Sequence, residues 1–159
     1  MKKIMIVDDN YLSAEGIEKN IDWETLNAEI IHVCYNGTSA IEAMKKEPAD
    51  LIISDIEMPD LDGISMSRQA LEINPMVKII LISAYDKFEY ARRALLLGAL
   101  DYIEKPLDYA YLIQKVKNAF ALMEKEQKNL QLLKQSRPLL TENFPSRSHT
   151  FRLLKQPTD

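Results

Sequence analysis

Carboxylates follow two short apolar runs of this 159-residue sequence, at positions where they could do chemistry. Asp8 and Asp9 follow the first run, and Asp55 follows a later one. A hydroxyl, Ser83, and an ammonium group, Lys105, follow two further runs. Carboxylates that lie close together repel each other and raise one another's pKa values. If the fold brings these groups together, a divalent cation would remove that repulsion.

The ligand types favour magnesium. Oxygen ligands suit Mg²⁺, which keeps several of its waters and is often held together with a phosphate group. The two histidines and the single cysteine fall elsewhere in the pattern, which disfavours zinc. A metal ion, the Lys105 ammonium and the Ser83 hydroxyl around one carboxylate can stabilise a transferring phosphoryl group. Asp55 would then be the nucleophile and would form an acyl phosphate.

Five apolar runs, which alternate with helical patterns, would position these groups. The runs are residues 4–7, 30–34, 51–53, 77–82 and 100–103. Helical patterns begin after Asn10, at Thr38, at Ile64, at Asp86 and at about Asp108. Runs that are apolar on both faces suit a parallel sheet with helices on both sides. Because function gathers at the carboxyl ends of the strands in such sheets, the polar groups should meet at one edge.

Four segments resemble the receiver domain of two-component response regulators. They are VDDN at 7–10, DIEMPDLDG at 55–63, SAY at 83–85 and DYIEKP at 101–106. The resemblance covers about residues 1–122. It implies an α/β fold of the flavodoxin-like kind: a doubly wound five-stranded parallel sheet of order 2-1-3-4-5 with five helices, the last one extended. It also implies a partner, a sensor histidine kinase whose phosphohistidine donates to Asp55.

The resemblance assigns a metal-binding or acceptor role to each matching acid. Asp55 would be the phosphoacceptor and also a ligand of Mg²⁺. Asp8 and Asp9 would be the acidic pair, with Asp9 the more direct metal ligand. Glu57 would offer its backbone carbonyl to the metal, so this role does not fix its side chain.

The resemblance also implies a switch. Ser83 and Lys105 would each hold a phosphoryl oxygen. Movement of Ser83 toward the phosphoryl group would leave space into which Tyr102 rotates. The face formed by the fourth helix, the fifth strand and the fifth helix would then change. The Lys105–Pro106 peptide bond is expected to be cis.

Charge and composition exclude several classes of function. Residues 124–159 contain seven Lys/Arg and four Asp/Glu, or +3, which leaves 13 minus 20, or −7, for residues 1–123. An acidic globular part argues against direct binding of nucleic acid. No apolar run approaches the roughly 20 residues that span a bilayer. A single cysteine, Cys34, cannot form an internal disulfide. We therefore expect a cytoplasmic protein that makes no membrane contact.

The C-terminal part predicts a helix that outlasts its domain. Apolar residues from Leu112 to Leu133 are spaced 4-3-4-3, as in a coiled coil, although Glu126 interrupts them. We predict a receiver domain over 1–122 and a helical extension or linker over 123–140, followed by a disordered tail or truncated linker over 141–159. The extension is either a plain amphipathic helix or a stalk that supports a homodimer, together with the face that switches.

Three further segments resemble the YesN-type regulators, which carry an AraC-type helix-turn-helix output domain. They are IDWETL at 21–26, residues 83–108, and LLKQSRPLLTENF at 132–144. Nothing after Phe144 offers two packed helices with a recognition helix. Contact with DNA is therefore expected only through a C-terminal output domain that this sequence does not contain.

Two other functions use the same residues. A stand-alone receiver would signal only through protein contacts. An aspartyl-nucleophile phosphohydrolase would turn over small phosphate esters, but the second acid of haloacid-dehalogenase-type enzymes corresponds here to Glu57, and no cap domain is visible. The receiver itself would catalyse only its own phosphorylation and dephosphorylation, and would turn over no outside substrate.

Overall fold

The structure, a computed structural model, describes residues 1–84 and 88–143. Strands and helices alternate along the chain. The strands are β1 (Lys2–Val7), β2 (Ala28–Cys34), β3 (Leu51–Asp55), β4 (Lys78–Ser83) and β5 (Asp101–Glu104). The helices are α1 (Tyr11–Asn20), α2 (Gly37–Lys46), α3 (Gly63–Ile73), α4 (Phe88–Leu97) and α5 (Tyr109–Asn143).

The five strands form one parallel sheet in the order β2-β1-β3-β4-β5. This order confirms the predicted flavodoxin-like fold. β3 lies in the centre, and all five of its residues are buried. Its first three residues, Leu51 to Ile53, are all apolar, as expected of a strand that is covered on both faces. The order reverses beside β1, and open sheets of this kind bind ligands at such switch points.

Polar side chains begin three of the helices next to the functional edge. Asn10 accepts hydrogen bonds from the amides of Leu12 and Ser13 at the start of α1. Asn36 and Asp62 do the same for α2 and α3, through the amides of the third residue after each. Such caps satisfy amides that have no partner within the helix. They fix where each helix leaves the carboxyl edge of the sheet.

The connection between α1 and β2 contains an extra turn, in the region where the sequence was irregular. Trp23 is buried, and its indole Nε1 donates to the carbonyl of Ile17 at 3.3 Å. Asn27 adopts a left-handed φ of 57°, a conformation that asparagine tolerates better than most residues. Trp23 is therefore a packing anchor.

The chain divides into two units, and the first, Met1–Phe120, contains the sheet. The second begins at Ala121 within α5, which continues as helix to Asn143. The helix thus enters the segment 141–159 for which we predict a tail, and residues 144–159 lie outside the described part of the chain. The division at 122 and 140 stays a prediction. Among the described helices, none combines the length and the apolar character that crossing a membrane requires.

Candidate functional site

Three carboxylates converge at the carboxyl edge of the sheet. Asp8 and Asp9 come directly after β1, and Asp55 is the last residue of the adjacent β3. One oxygen from each lies within 4.8 Å of the others. Asp8 and Asp55 are buried, whereas Asp9 is exposed. The sheet register creates this cluster, because β1 and β3 are neighbours although their last residues, Val7 and Asp55, are far apart in the sequence.

Asp55 lies between a backbone amide and a cation. Its Oδ1 accepts a hydrogen bond from the Ile56 amide at 2.9 Å, and its Oδ2 is 3.3 Å from the ammonium of Lys105. Lys105 follows β5, so it reaches Asp55 across the end of β4. Its amide donates to the carbonyl of Ser83, which ties the two strand ends together. The Lys105–Pro106 peptide bond is cis.

Burial makes two of these carboxyls weak acids. Burial, together with the negative charge of Asp55, raises the pKa of Asp8 to about 6, against the opposing effect of the hydrogen bond from the Asn10 amide. Burial also raises the pKa of Asp55, against the opposing effect of Lys105. Neighbouring positive charge favours the ionised form of a carboxyl. The single ammonium of Lys105 thus leaves part of the negative charge uncompensated.

This donor set fits a hard divalent cation. The ligand atoms are carboxylate oxygens, which Mg²⁺ and Ca²⁺ prefer. Cys34 is buried at the end of β2, and the ring of His32 lies 2.9 Å from the Glu47 carbonyl, so neither joins the acidic cluster. An added positive charge would offset both the burial of the Asp8 carboxylate and its repulsion by Asp55, which together raise the pKa of Asp8. Asp8, Asp9 and Asp55 are therefore the residues that could hold a metal ion.

Ser83 is an unusual buried hydroxyl. It is the last residue of β4 and is fully buried, and its Oγ makes no hydrogen bond to any residue that the structure describes. Ile82, the preceding residue, pairs with Asp55 in the sheet. A buried polar atom without a partner costs free energy, and such atoms need an explanation. The Ser83 hydroxyl could therefore donate a hydrogen bond to an acceptor bound beside Asp55.

Tyr102 lies one strand further along, on β5. It pairs with Leu81 in the sheet, two residues before Ser83, and it packs partly buried against the core. The two residues predicted to switch are thus on adjacent strands. Tyr85, which follows in the same predicted motif, lies outside the described residues.

A family model of the response regulator receiver domain matches residues 4–117. The chain belongs to the response regulator receiver family. The match covers the sheet from Ile4 onward and all residues of the acidic cluster. This result confirms the resemblance seen in the sequence and places the chain among the receivers of two-component systems.

Relatives of this receiver include transcriptional regulators. It is 29% identical over 126 residues to the transcriptional regulatory protein YesN of Bacillus subtilis, covering 79% of this chain and 34% of that protein. It is 30% identical over 112 residues to the transcriptional regulatory protein HptR of Staphylococcus aureus, covering 70% and 44%. The chain therefore spans less than half the length of these relatives.

A solved structure has the same fold. It is the receiver domain of AraT, a response regulator from Geobacillus stearothermophilus, which is 34% identical with a TM-score of 0.75. The alignment covers 79% of this chain and 98% of that one. The part of the receiver that aligns is thus a complete domain in the solved structure.

Sequence reasoning missed some residues that shape the receiver site. The Asn10 amide donates to Asp8 Oδ1 at 2.9 Å, and the Ile56 amide contacts Asp55. Asp60 and Asp62 both accept hydrogen bonds from helix amides, but Asp62 contacts α3 whereas Asp60 contacts α2. The sequence around Asn10 carried a capping signal, whereas only the fold brings Asp60 to α2.

A small cavity of about 120 Å³ adjoins the receiver site. Its lining includes Asp8 and Lys105 of the site together with the apolar side chains of Ile17 and Pro106. Tyr109 also lines it, close to Gly16 of α1, where a side chain would collide with the tyrosine hydroxyl. The position of Gly16 therefore sets how closely the beginning of α5 approaches α1.

Proposed function

We propose that this receiver accepts a phosphoryl group on Asp55 from the phosphohistidine of a sensor histidine kinase, with Mg²⁺ held by Asp8, Asp9, Asp55 and the Glu57 carbonyl. The observation that carries the proposal is the position of the Asp55 carboxylate, which lies within 4.8 Å of two other carboxylates and 3.3 Å from the Lys105 ammonium. Anionic and cationic groups on both sides of one nucleophile match what phosphoryl transfer needs.

The transfer exchanges one bond to phosphorus for another. An oxygen of Asp55 forms a bond to phosphorus as the bond from phosphorus to the histidine nitrogen breaks, and the electron pair of that bond stays on the imidazole. The Lys105 ammonium neutralises charge on a phosphoryl oxygen, and the Ser83 hydroxyl donates to another. Bound Mg²⁺ supplies further positive charge to the phosphoryl oxygens. The product is a mixed anhydride of Asp55.

The unpartnered Ser83 hydroxyl supports the proposed switch. A phosphoryl oxygen would give this Oγ the acceptor that it lacks among the described residues. Tyr102, on the neighbouring strand, would rotate into the space that Ser83 leaves, and the α4-β5-α5 face would change. The phosphoryl group need only favour one of two existing states.

A phosphoryl mimic tests this function. We expect beryllofluoride with Mg²⁺ to shift the amide NMR signals of Asp55, Ser83 and Tyr102. In Ser83→Ala, the signal of residue 55 should still shift, because the acidic site remains, whereas that of Tyr102 should not. Removing a hydroxyl that has no partner among the described residues should leave the thermal stability close to that of the wild type. Unchanged spectra of the wild type at saturating ligand would contradict the proposal.

The switch is proposed to promote a homodimer through the α4-β5-α5 face and the helical stalk. Leu95 and Leu96 on α4 are 72% and 75% exposed, and Leu130 and Leu133 on α5 are also exposed. Exposed leucines at such positions favour contact with another apolar surface. Sedimentation should show a monomer without beryllofluoride and a dimer with it. A monomer in both states would refute this part of the proposal.

Transcription is the proposed output. YesN and HptR are both named as transcriptional regulatory proteins, and this chain matches less than half of each. We propose that the phosphorylated receiver acts on DNA through a C-terminal output domain rather than by its own acidic surface. Family membership favours this reading over a phosphohydrolase. If the chain instead acts alone, its partners would be captured only in the phosphorylated state.

A further inference from the structure

Asp60 joins two parts of the receiver that are distant in sequence. It lies on the loop between β3 and α3, five residues after Asp55. Its Oδ2 accepts hydrogen bonds from the Thr38 hydroxyl at 2.6 Å and from the Thr38 amide at 3.3 Å. Its Oδ1 accepts one from the Gly37 amide at 3.4 Å. The carboxylate therefore ties the tip of the loop to the first turn of α2.

The partners of the α2 amides show that this contact is more than a helix cap. Asn36, the residue that precedes α2, accepts from the Ser39 amide through its side chain. The two earlier amides, of Gly37 and Thr38, are instead satisfied by the carboxylate from the other loop. Without such a partner, the amides of the first helical turn would have to form hydrogen bonds with water. The loop thus provides the acceptor for the first amides of α2, and α2 in turn holds the Asp60 end of the loop.

The loop has little freedom at its other points. At its base, the Gly63 amide donates to the Ile56 carbonyl at 2.8 Å, and Asp62 begins α3. Near its tip, the backbone of Gly37 lies so close to Leu61 that an added Cβ would be 2.7 Å from the leucine Cβ. Asp60 is exposed, yet hydrogen bonds from Thr38 hold its pKa at about 2. The contact therefore persists over the pH range in which proteins work.

We propose that Asp60 is a positioning residue for the metal site: its attachment to α2 holds the loop so that the Glu57 carbonyl faces the carboxylate cluster. The inference rests on the proposed function, because it takes Mg²⁺ as the ion and the Glu57 carbonyl as a ligand. Glu57 lies between Asp55, which the sheet fixes, and Asp60, which α2 fixes. Groups that orient a metal ligand change affinity by about 10-fold or more when they are lost.

The test measures the affinity for Mg²⁺ by calorimetry, with the Glu57 amide as an NMR probe. We expect Asp60→Ala to raise the dissociation constant about 10-fold and to shift the Glu57 signal before metal is added. At saturating Mg²⁺, labelling by acetyl phosphate should recover the wild-type rate. Thr38→Val should also raise the dissociation constant for Mg²⁺. Thr38→Ser, which keeps the hydroxyl, should bind Mg²⁺ like the wild type.

Asn36→Ala is the matched control, because it removes the cap that belongs to α2 alone. It should lower the melting temperature without changing the dissociation constant. Equal dissociation constants for Asp60→Ala and the wild type, or equal weakening by Asn36→Ala, would overturn the inference. If Asp60→Ala does not fold, equal values for Thr38→Val and Thr38→Ser would overturn it instead. A wild-type chain that binds Mg²⁺ without being labelled would contradict only the proposed phosphoacceptor.

Discussion

Asp55→Asn is expected to abolish phosphorylation of the receiver by acetyl phosphate or by a cognate kinase. The amide oxygen keeps the size of the carboxylate but lacks the negative charge that makes Asp55 a nucleophile. It also weakens the attraction to Lys105, which is 3.3 Å away in the wild type. Intact-protein mass spectrometry, followed by peptide mapping, measures the loss directly.

Asp62→Asn is a close control for this replacement. Asp62 lies in the same segment, but its side chain accepts from the Ser65 amide at the start of α3, and asparagine caps helices about as well as aspartate. This variant should be labelled like the wild type. Labelling that persists in Asp55→Asn would show that another group is the acceptor.

Asp55→Asn should also stabilise the fold of the metal-free receiver. An acid whose pKa is higher in the folded than in the unfolded state destabilises the fold as it ionises, so stability falls as pH rises through the window between those two values. Burial raises the pKa of Asp55, and that of Asp8 to about 6. Asp55→Asn removes the destabilising contribution of Asp55. It also reduces that of Asp8, because the charge of Asp55 helps to raise the pKa of Asp8. Its melting temperature should therefore exceed that of the wild type at neutral pH, and Mg²⁺ should narrow the difference.

Most of the fold and of the acidic site could be predicted from the sequence, because both depend on local patterns. Apolar runs of three to six residues, which alternate with segments of helical spacing, indicated the five strands. Asp8, Asp9 and Asp55 were recognisable because they end such runs, and parallel strands bring their ends to one edge. The helical pattern after Asn10 was also recognisable, and in the structure Asn10 caps α1.

Contacts between loops could not be predicted in this way. Asp60 has the same residue type and setting as Asp62, and nothing local indicates that its partner lies 22 residues earlier, at Thr38. That contact depends on how α2 and α3 pack on the sheet. The hydrogen-bonding state of Ser83 was likewise invisible, because an unpartnered hydroxyl is a property of its surroundings. Residue types thus revealed the chemistry, whereas the fold determines which groups hold that chemistry in place.

Gly63→Ala is expected to damage both the stability and the activity of the receiver. A Cβ on Gly63 would collide with the Asp55 carbonyl oxygen and lie 2.9 Å from Ile56 Cα. Both neighbours are backbone atoms next to the acceptor, so the chain can relieve the collision only by moving Asp55. Such crowding costs about 1–3 kcal/mol, and denaturant unfolding measures it. Phosphorylation should slow as well, since the nucleophile moves relative to Lys105.

Gly98→Ala is the control for Gly63→Ala, because it replaces a glycine at a site where the added Cβ causes backbone strain but no crowding. Gly98 has a φ of 95°, and an added Cβ would meet nothing within 4 Å. Its replacement should cost about 1 kcal/mol through backbone strain alone, with labelling of Asp55 unchanged. Gly63→Ala that unfolds like the wild type and is labelled at the same rate would show that the loop can yield without moving Asp55. In that case Gly63 would be needed for the turn before α3 and not for the position of Asp55. The expected loss of stability and of labelling would instead show that close contact with Gly63 holds Asp55 where a phosphoryl group can reach it.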